Sequence, residues 1–321
     1  MTSSFQPSTS PAEFEARIAA LWVFPIKSCA GISVQQAVLT PTGLANDRAW
    51  MVVDSEGEMV TQRELPRMAL IQPELVEANG RVNELVLRAH GMAALHLTVT
   101  AEATASPCQV RVWNDEVPAF DMGSAVARWL TDFLGNSLGS LRLVRFDAKH
   151  QRLSSLQWTQ GESAFNQFSD GFPVLVTSVA SLDELNTRLQ AKGEAAVDMR
   201  RFRANVVLGD SDALHAQAVM PHDEDRIDTL TIHTQADDHH ETLKLNDAVQ
   251  LKPVKPCPRC PIPNIDPDSA QKSPAVNDAL QAYRQDPRVN GALTFGMNCI
   301  PKAGVGHVLR VGQRVSSAWA F

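Results

Sequence analysis

Only two stretches of this chain carry a helical period, which limits the architectures open to it. Ser124–Leu134 (SAVARWLTDFL) sets Val126, Leu130, Phe133 and Leu134 on one face and is followed by Gly135, a stop signal. Ser181–Leu189 (SLDELNTRL) starts with a residue suited to cap a helix, and Glu184 three residues on completes a capping box. Elsewhere the apolar residues fall in short β-like runs separated by turn residues. These are Ile18–Phe24, Ala49–Val53, Met59–Gln62, Leu85–Arg88, Leu95–Val99 and Gln109–Trp113 in the first half. Val174–Val176, Ala204–Leu208, Thr229–His233, Ala248–Pro253 and Val308–Val311 follow in the second. Ala49–Val53 and Met59–Gln62, on either side of Asp54-Ser55-Glu56-Gly57, predict a hairpin. Two helices are too few for a doubly wound sheet. The expectation is a mixed α+β fold of two β-rich units with mostly antiparallel strands.

Composition narrows the function classes. The 321 residues suit two domains, and 36 acidic against 29 basic residues leave a net charge of −7, which disfavours a broad nucleic-acid-binding face. Five cysteines, only two of them close in sequence, do not make a secreted disulfide framework. The polar start shows no basic segment followed by an apolar one, and no apolar run approaches the ~20 residues of a membrane span. A soluble, cytoplasmic protein of a reducing compartment, without membrane contact, is therefore expected. Residues 1–15 read as a disordered lead-in. The acidic segments Pro221–Asp225 and Asp237–Glu241 read as solvated loops.

The chemistry concentrates in a few segments. Lys255–Asp268 (KPCPRCPIPNIDPD) holds a Cys-x-x-Cys pair among prolines at 256, 258, 261, 263 and 267, so no helix runs through it. A zinc site would need two more ligands, sought among His222, His239, His240 and Cys299. A thioredoxin-like site would need a helix after the first cysteine. A rigid proline-braced loop presenting one thiolate to a soft metal meets neither obstacle, and Lys255 and Arg259 favour the ionised thiol. Ordinary loop thiols are the plain alternative. Asp266 and Asp268 suit a turn. Phe24–Gly31 (FPIKSCAG) offers Lys27, Ser28 and backbone N–H groups to an anion. Arg48, Arg63 and Arg67, and the cluster Arg200-Arg201-Phe202-Arg203-Ala204-Asn205, add guanidinium groups that suit phosphate or carboxylate.

Taken in order, FPIKSCAG, NDRAWMVVD, SDGFPVLVTSVASLDELN, RFRANVV and VKPCPRCPIPNIDPD resemble the MOSC family of molybdenum-cofactor proteins. The resemblance is greater to the branch of the mitochondrial amidoxime-reducing components and their bacterial relatives, and it covers roughly residues 18–315. It implies an N-terminal β-barrel-like domain (16–140), a C-terminal MOSC β-barrel domain with a few helices (141–321), and a pterin-based molybdenum cofactor between them. On that resemblance Cys260 is the metal ligand. Lys27, Ser28, Arg48, Ser178, Arg203 and Asn205 contact the cofactor, and Pro258 and Arg259 line the metal site. Phe295-Gly296-Met297-Asn298 matches the family's Phe-Gly segment, with Asn298 at an aromatic position.

The implied activity is reduction of N-hydroxylated compounds (amidoximes, hydroxylamines, N-hydroxylated nucleobases) by oxygen removal at molybdenum, with Arg259 orienting substrate or stabilising charge on the leaving oxygen. The alternative is a carrier or chaperone that binds the cofactor without turnover. No membrane anchor is visible in the polar start, and no cysteine follows Cys299 to build an iron–sulfur cluster. Electrons are therefore expected from a separate electron-transfer protein or reductase.

Overall fold

The computed structural model describes residues 13–78, 80–99, 106–213, 216–234 and 248–320. In chain order its principal strands begin with β1 (Phe14–Val23), β2 (Trp50–Val53), β3 (Ser106–Val112), β4 (Asp115–Asp121) and β5 (Arg142–Phe146). They continue with β6 (Val174–Ser178), β7 (Val206–Gly209), β8 (Leu230–His233), β9 (Ala248–Pro258), β10 (Ala292–Ala303) and β11 (Arg314–Ser317). Three α-helices are described: α1 (Ser124–Leu134), α2 (Val179–Ala191) and α3 (Ala275–Gln281). Seven strands close a barrel in the order β6-β7-β1-β11-β8-β9-β10, and β10 pairs back to β6. Every pair is antiparallel except β6/β7, whose parallel register is made possible by the α2 crossover.

The barrel core follows from strand alternation. In β1 every second side chain from Phe14 to Ile18 is buried, and Ile18 and Leu21 pack with Val176, Val206, Leu208, Ile232, Leu251 and Val315. A second unit packs beside the barrel. It contains the antiparallel sheet β2-β5-β4-β3 and a meander of Gln72–Ala78, Arg81–Arg88 and Leu95–Thr98. Helix α1 starts and stops where its apolar period does, and Val126, Leu130 and Phe133 bury against Trp50, Leu85, Leu87 and Leu143.

Several expectations change. The lead-in ends earlier than residue 15, because Phe14 and Glu15 already pair with Ser317 and Ser316. Strand pairing crosses the division at residue 140 in both directions: β1 belongs to the barrel, and β5 completes the sheet of the other unit. The hairpin across Asp54–Gly57 forms but is short: Val53 bridges Met59 antiparallel, Asp54 N donates to Glu58 O at 3.0 Å and Val60 N to Val52 O at 2.9 Å, while Met59 N turns to Arg111 O. Helix α2 begins at Val179, two residues before Ser181. Ser178 caps it, accepting from Ser181 N at 3.1 Å, while Glu184 turns to Arg188 instead of closing a capping box. Strand β9 runs through three prolines to Pro258, because its ladder with β10 slips at Pro253/Lys255 and again at Pro256/Pro258. The proline-braced thiol segment is thus the end of a barrel strand. Asp223 and Glu224, expected on a solvated loop, are buried; Asp237–Glu241 lies outside the described residues.

Candidate active site

One cleft at the junction of the two units gathers all but one of the residues that the family resemblance assigns to the cofactor and metal, Ser178 being the exception. Lys27, Ser28, Arg48, Arg203, Asn205, Pro258, Arg259, Cys260 and Asn298 all line it. Barrel strands deliver most of them. The chain leaving β1 supplies Lys27 and Ser28, the approach to β7 supplies Arg203 and Asn205, and the end of β9 supplies Pro258. Asn298 comes from β10, opposite Leu175 and Lys255. Arg63 and Trp113 line the cleft from the second unit, and Asp170 and Phe172 from the segment leading into β6.

The backbone here is held in unfavourable conformations. Ser28 (φ 65°), Arg48 (φ 48°) and Arg203 (φ 58°) occupy the left-handed region without being glycine, at a cost of roughly 1–3 kcal/mol each. Surrounding bonds enforce this. Lys27 N donates to Trp50 O at 2.8 Å, Gln62 Nε2 donates to Ser28 O at 2.7 Å, and Arg48 N donates to Phe24 O at 2.8 Å. These three of the nine described non-glycine residues with positive φ thus fall where the cationic side chains converge.

The charges are arranged with few neutralising partners. Lys27 Nζ donates to Phe168 O at 2.8 Å and to Asp170 Oδ1 at 2.5 Å; burial pulls its pKa down against the pull of Asp170. Desolvation opposes ionisation of Asp170, but the Lys27 ammonium, Arg48 and the Trp113 indole outweigh it and hold the carboxyl below the usual range. Arg48 is paired with Asp47 at 2.5 Å and donates from Nη2 to Arg203 O at 2.8 Å. Arg203 Nη1 donates to Cys29 O, but its Nη2 is buried without a partner. Burial and the neighbouring Arg48 bring the Arg203 pKa down to about 9. Arg259 donates to Cys257 Sγ at 3.1 Å and Phe202 O at 3.0 Å, and its Nε is likewise buried and unpartnered. A buried donor without an acceptor costs about 1–3 kcal/mol, so the cleft is complementary to an anion.

Other candidates have different roles. Ser178 is fully buried away from the cleft, where its hydroxyl caps α2 and donates to Glu224 Oε2 at 2.8 Å. Asn205 lines the cleft, but its side chain latches the barrel, accepting from Leu175 N at 3.1 Å and donating to Trp22 O at 3.2 Å. Arg200 pairs with Asp198 and Asp268, Arg201 with Asp266, and Arg67 stacks on Phe133, so only Arg203 of the cluster reaches the cleft. Asp266 Oδ1 accepts from the backbone of Asp268 and Ser269, as a turn residue does. Among the described residues no three His, Cys, Asp or Glu side chains stand together as a metal site. Cys299 is buried in the barrel, His222 faces Glu184, and His239 and His240 lie outside the described residues. The zinc reading therefore finds no ligand set among the described residues. The sequence reading missed Trp113 and Phe172 as cleft walls and Phe24 as a support, since a lone aromatic in a β-rich chain reads as core.

Two family models match along the chain: the MOSC N-terminal beta barrel domain over residues 15–137 and the MOSC domain over residues 165–316. It belongs to the MOSC family. Mitochondrial amidoxime reducing component 2 of Rattus norvegicus is 33% identical over 315 residues, 93% of this chain and 82% of the relative. Mitochondrial amidoxime-reducing component 1 of Mus musculus is 34% identical over 276 residues, 83% of this chain and 71% of the relative. A Bos taurus protein named molybdenum cofactor sulfurase is 26% identical over 278 residues, covering 83% of this MOSC chain but 28% of that protein. No helix among the described residues is long and apolar enough to cross a membrane.

Proposed function

We propose that this MOSC protein holds a pterin-based molybdenum cofactor in the cleft and reduces N-hydroxylated compounds such as amidoximes, hydroxylamines and N-hydroxylated nucleobases. The observation that carries the reading is one cleft containing both a partly exposed free thiol, Cys260, and guanidinium atoms of Arg203 and Arg259 that have no partner. The donor set fits such a group: a soft sulfur for the metal and buried cations for a phosphate-bearing pterin. The names of the relatives point the same way.

When bound, the cofactor supplies the two-electron exchange that breaks the N–O bond. The overall change is R–NHOH + 2 e⁻ + 2 H⁺ → R–NH₂ + H₂O for a hydroxylamine. The protein's part is binding and orientation. Lys27, Arg48 and Arg203 hold the anionic end, Asn205 fixes the barrel wall behind it, and Cys260 supplies the metal ligand. Ser28, Pro258 and Asn298 complete the lining. Arg259, held by Cys257 and Phe202, lines the cleft beside Cys260 and brings its charge to the substrate's leaving oxygen. Trp113 and Phe172 narrow the entrance and limit water. Electrons come from a separate electron-transfer protein or reductase.

The test is metal content and turnover on the same preparation. About one molybdenum per chain and amidoxime reduction with chemically reduced viologen are expected, without NADH oxidation by the pure chain. Retained molybdenum with no turnover on any N-hydroxylated compound would favour a cofactor carrier instead. Zinc in place of molybdenum would reject both readings.

A further inference from the structure

The geometry points to Phe24 as the positioning residue that holds Arg48 and Arg203 together as an anion clamp. The guanidinium carbons of Arg48 and Arg203 lie 4.5 and 4.4 Å from the centroid of the same Phe24 ring. Two like charges gathered over one ring repel, and the depressed Arg203 pKa records that repulsion together with burial. An aromatic face offsets part of it, because its quadrupole presents negative charge to both cations. Asp47 ties the assembly to the backbone: Oδ2 pairs with Arg48, and Oδ1 accepts from Phe24 N at 2.8 Å.

The ring is itself wedged in place. Phe24 is 1% exposed and stacks beside Trp22, with centroids 6.3 Å apart. On another side the backbone of Gly31 passes so close that a Cβ there would lie 2.4 Å from Phe24 Cε1. The glycine of FPIKSCAG therefore makes room for the phenyl ring. With the ring fixed and Arg203 Nη1 held by Cys29 O, Arg203 Nη2 is left without a protein partner, in a guanidinium that lines the cleft.

This rests on reading the cleft as the seat of a phosphate-bearing group, and the experiment separates the two. Inorganic phosphate is titrated into the full-length, cofactor-free chain by calorimetry, for the native protein, Phe24→Leu, Phe24→Tyr, Gly31→Ala and Arg48→Ala. Phe24→Leu keeps apolar bulk but removes the π face, and should weaken phosphate about five- to thirtyfold. Phe24→Tyr keeps the π face and should lose less than Phe24→Leu, its added hydroxyl having to be accommodated at the edge of a buried ring. Gly31→Ala, which leaves Phe24 chemically intact but pushes it aside, should reproduce the leucine loss and serves if the leucine variant does not fold. Binding that needs Arg48 but is unchanged in Phe24→Leu and Gly31→Ala would overturn the positioning role and leave the anion site standing. Binding that is absent, or indifferent to Arg48, would overturn both.

Discussion

Arg259 Nη1 donates to Cys257 Sγ at 3.1 Å, so the two thiols of one Cys-x-x-Cys segment have unequal surroundings. A zinc or disulfide pair would make them equivalent, and losing either would do similar damage. As a single-thiolate site, Cys260→Ser removes the soft ligand and should abolish turnover even where pterin stays bound. Cys257→Ser changes one weak acceptor and should cost about three- to tenfold at most. Turnover per bound molybdenum, measured side by side, decides between the two arrangements, and equal losses would reject the single-ligand assignment.

Removing a cation of the clamp should cost cofactor rather than fold. Arg48→Ala and Arg203→Ala each delete charge-assisted bonds worth roughly 1.5–3 kcal/mol, about ten- to a hundredfold in affinity. Arg48→Ala also leaves the buried Asp47 carboxylate without its ion-pair partner and should lower the unfolding midpoint, whereas Arg203→Ala gives up one side-chain hydrogen bond, to Cys29 O. Molybdenum per chain should fall in both variants while far-ultraviolet circular dichroism stays native. Full occupancy in both would place the anionic group elsewhere.

The parts of this arrangement that were legible in the sequence are those set by local chemistry. Helix α1 declares its own ends through period and Gly135, and Lys27, Arg48, Arg203 and Cys260 sit in turn or proline contexts that differ from core strands. Features set by tertiary packing were not legible. Ser178 carries the same hydroxyl whether it faces a ligand or caps a helix, and only the burial of Glu224 beside it shows which. Helix α3 is seven residues long and has too little period to register. Arg200 and Arg201 look like Arg203 until Asp266 and Asp268 arrive from 60-odd residues away. Gly296 (φ 78°) reads as a strand breaker. It sits within β10 because a Cβ there would lie 2.6 Å from Val176 O of the neighbouring strand.

Anion binding should weaken at alkaline pH. Burial and Arg48 lower the Arg203 pKa to about 9, with Cys29, Asp47 and Asp170 acting in the opposite direction. The protonated guanidinium is the binding form, so affinity is full below pH 9 and falls above it, by up to about tenfold per pH unit. Lys27, also lowered, titrates in the same cleft. The Arg203→Gln variant separates the two: phosphate affinity should be low throughout and lack the step that starts near pH 9. An unchanged native affinity between pH 8 and 10.5 would show that Arg203 keeps its proton in the cleft despite its burial.

Glu224 makes a prediction about stability that is independent of the cofactor. Its carboxyl is fully buried, which raises its pKa to about 7 although Ser181 and Ser178 donate to it at 2.7 and 2.8 Å. The unfolded chain titrates this group near 4.5, so the folded state holds the proton more tightly. Its stabilising contribution is complete below pH 4.5 and is lost as pH rises through 7, by roughly 3 kcal/mol in all. Glu224→Gln keeps the shape and cannot ionise, so native protein should lose stability relative to this variant between pH 5 and 8. Urea midpoints of the two proteins across that range measure the difference directly, and parallel curves would show that Glu224 titrates normally. Ser178→Ala belongs in the same series. It removes the α2 cap, worth about 0.5–2 kcal/mol, and one partner of Glu224, and should lower the midpoint while leaving molybdenum per chain unchanged. A loss of molybdenum without a loss of stability would return Ser178 to the cleft.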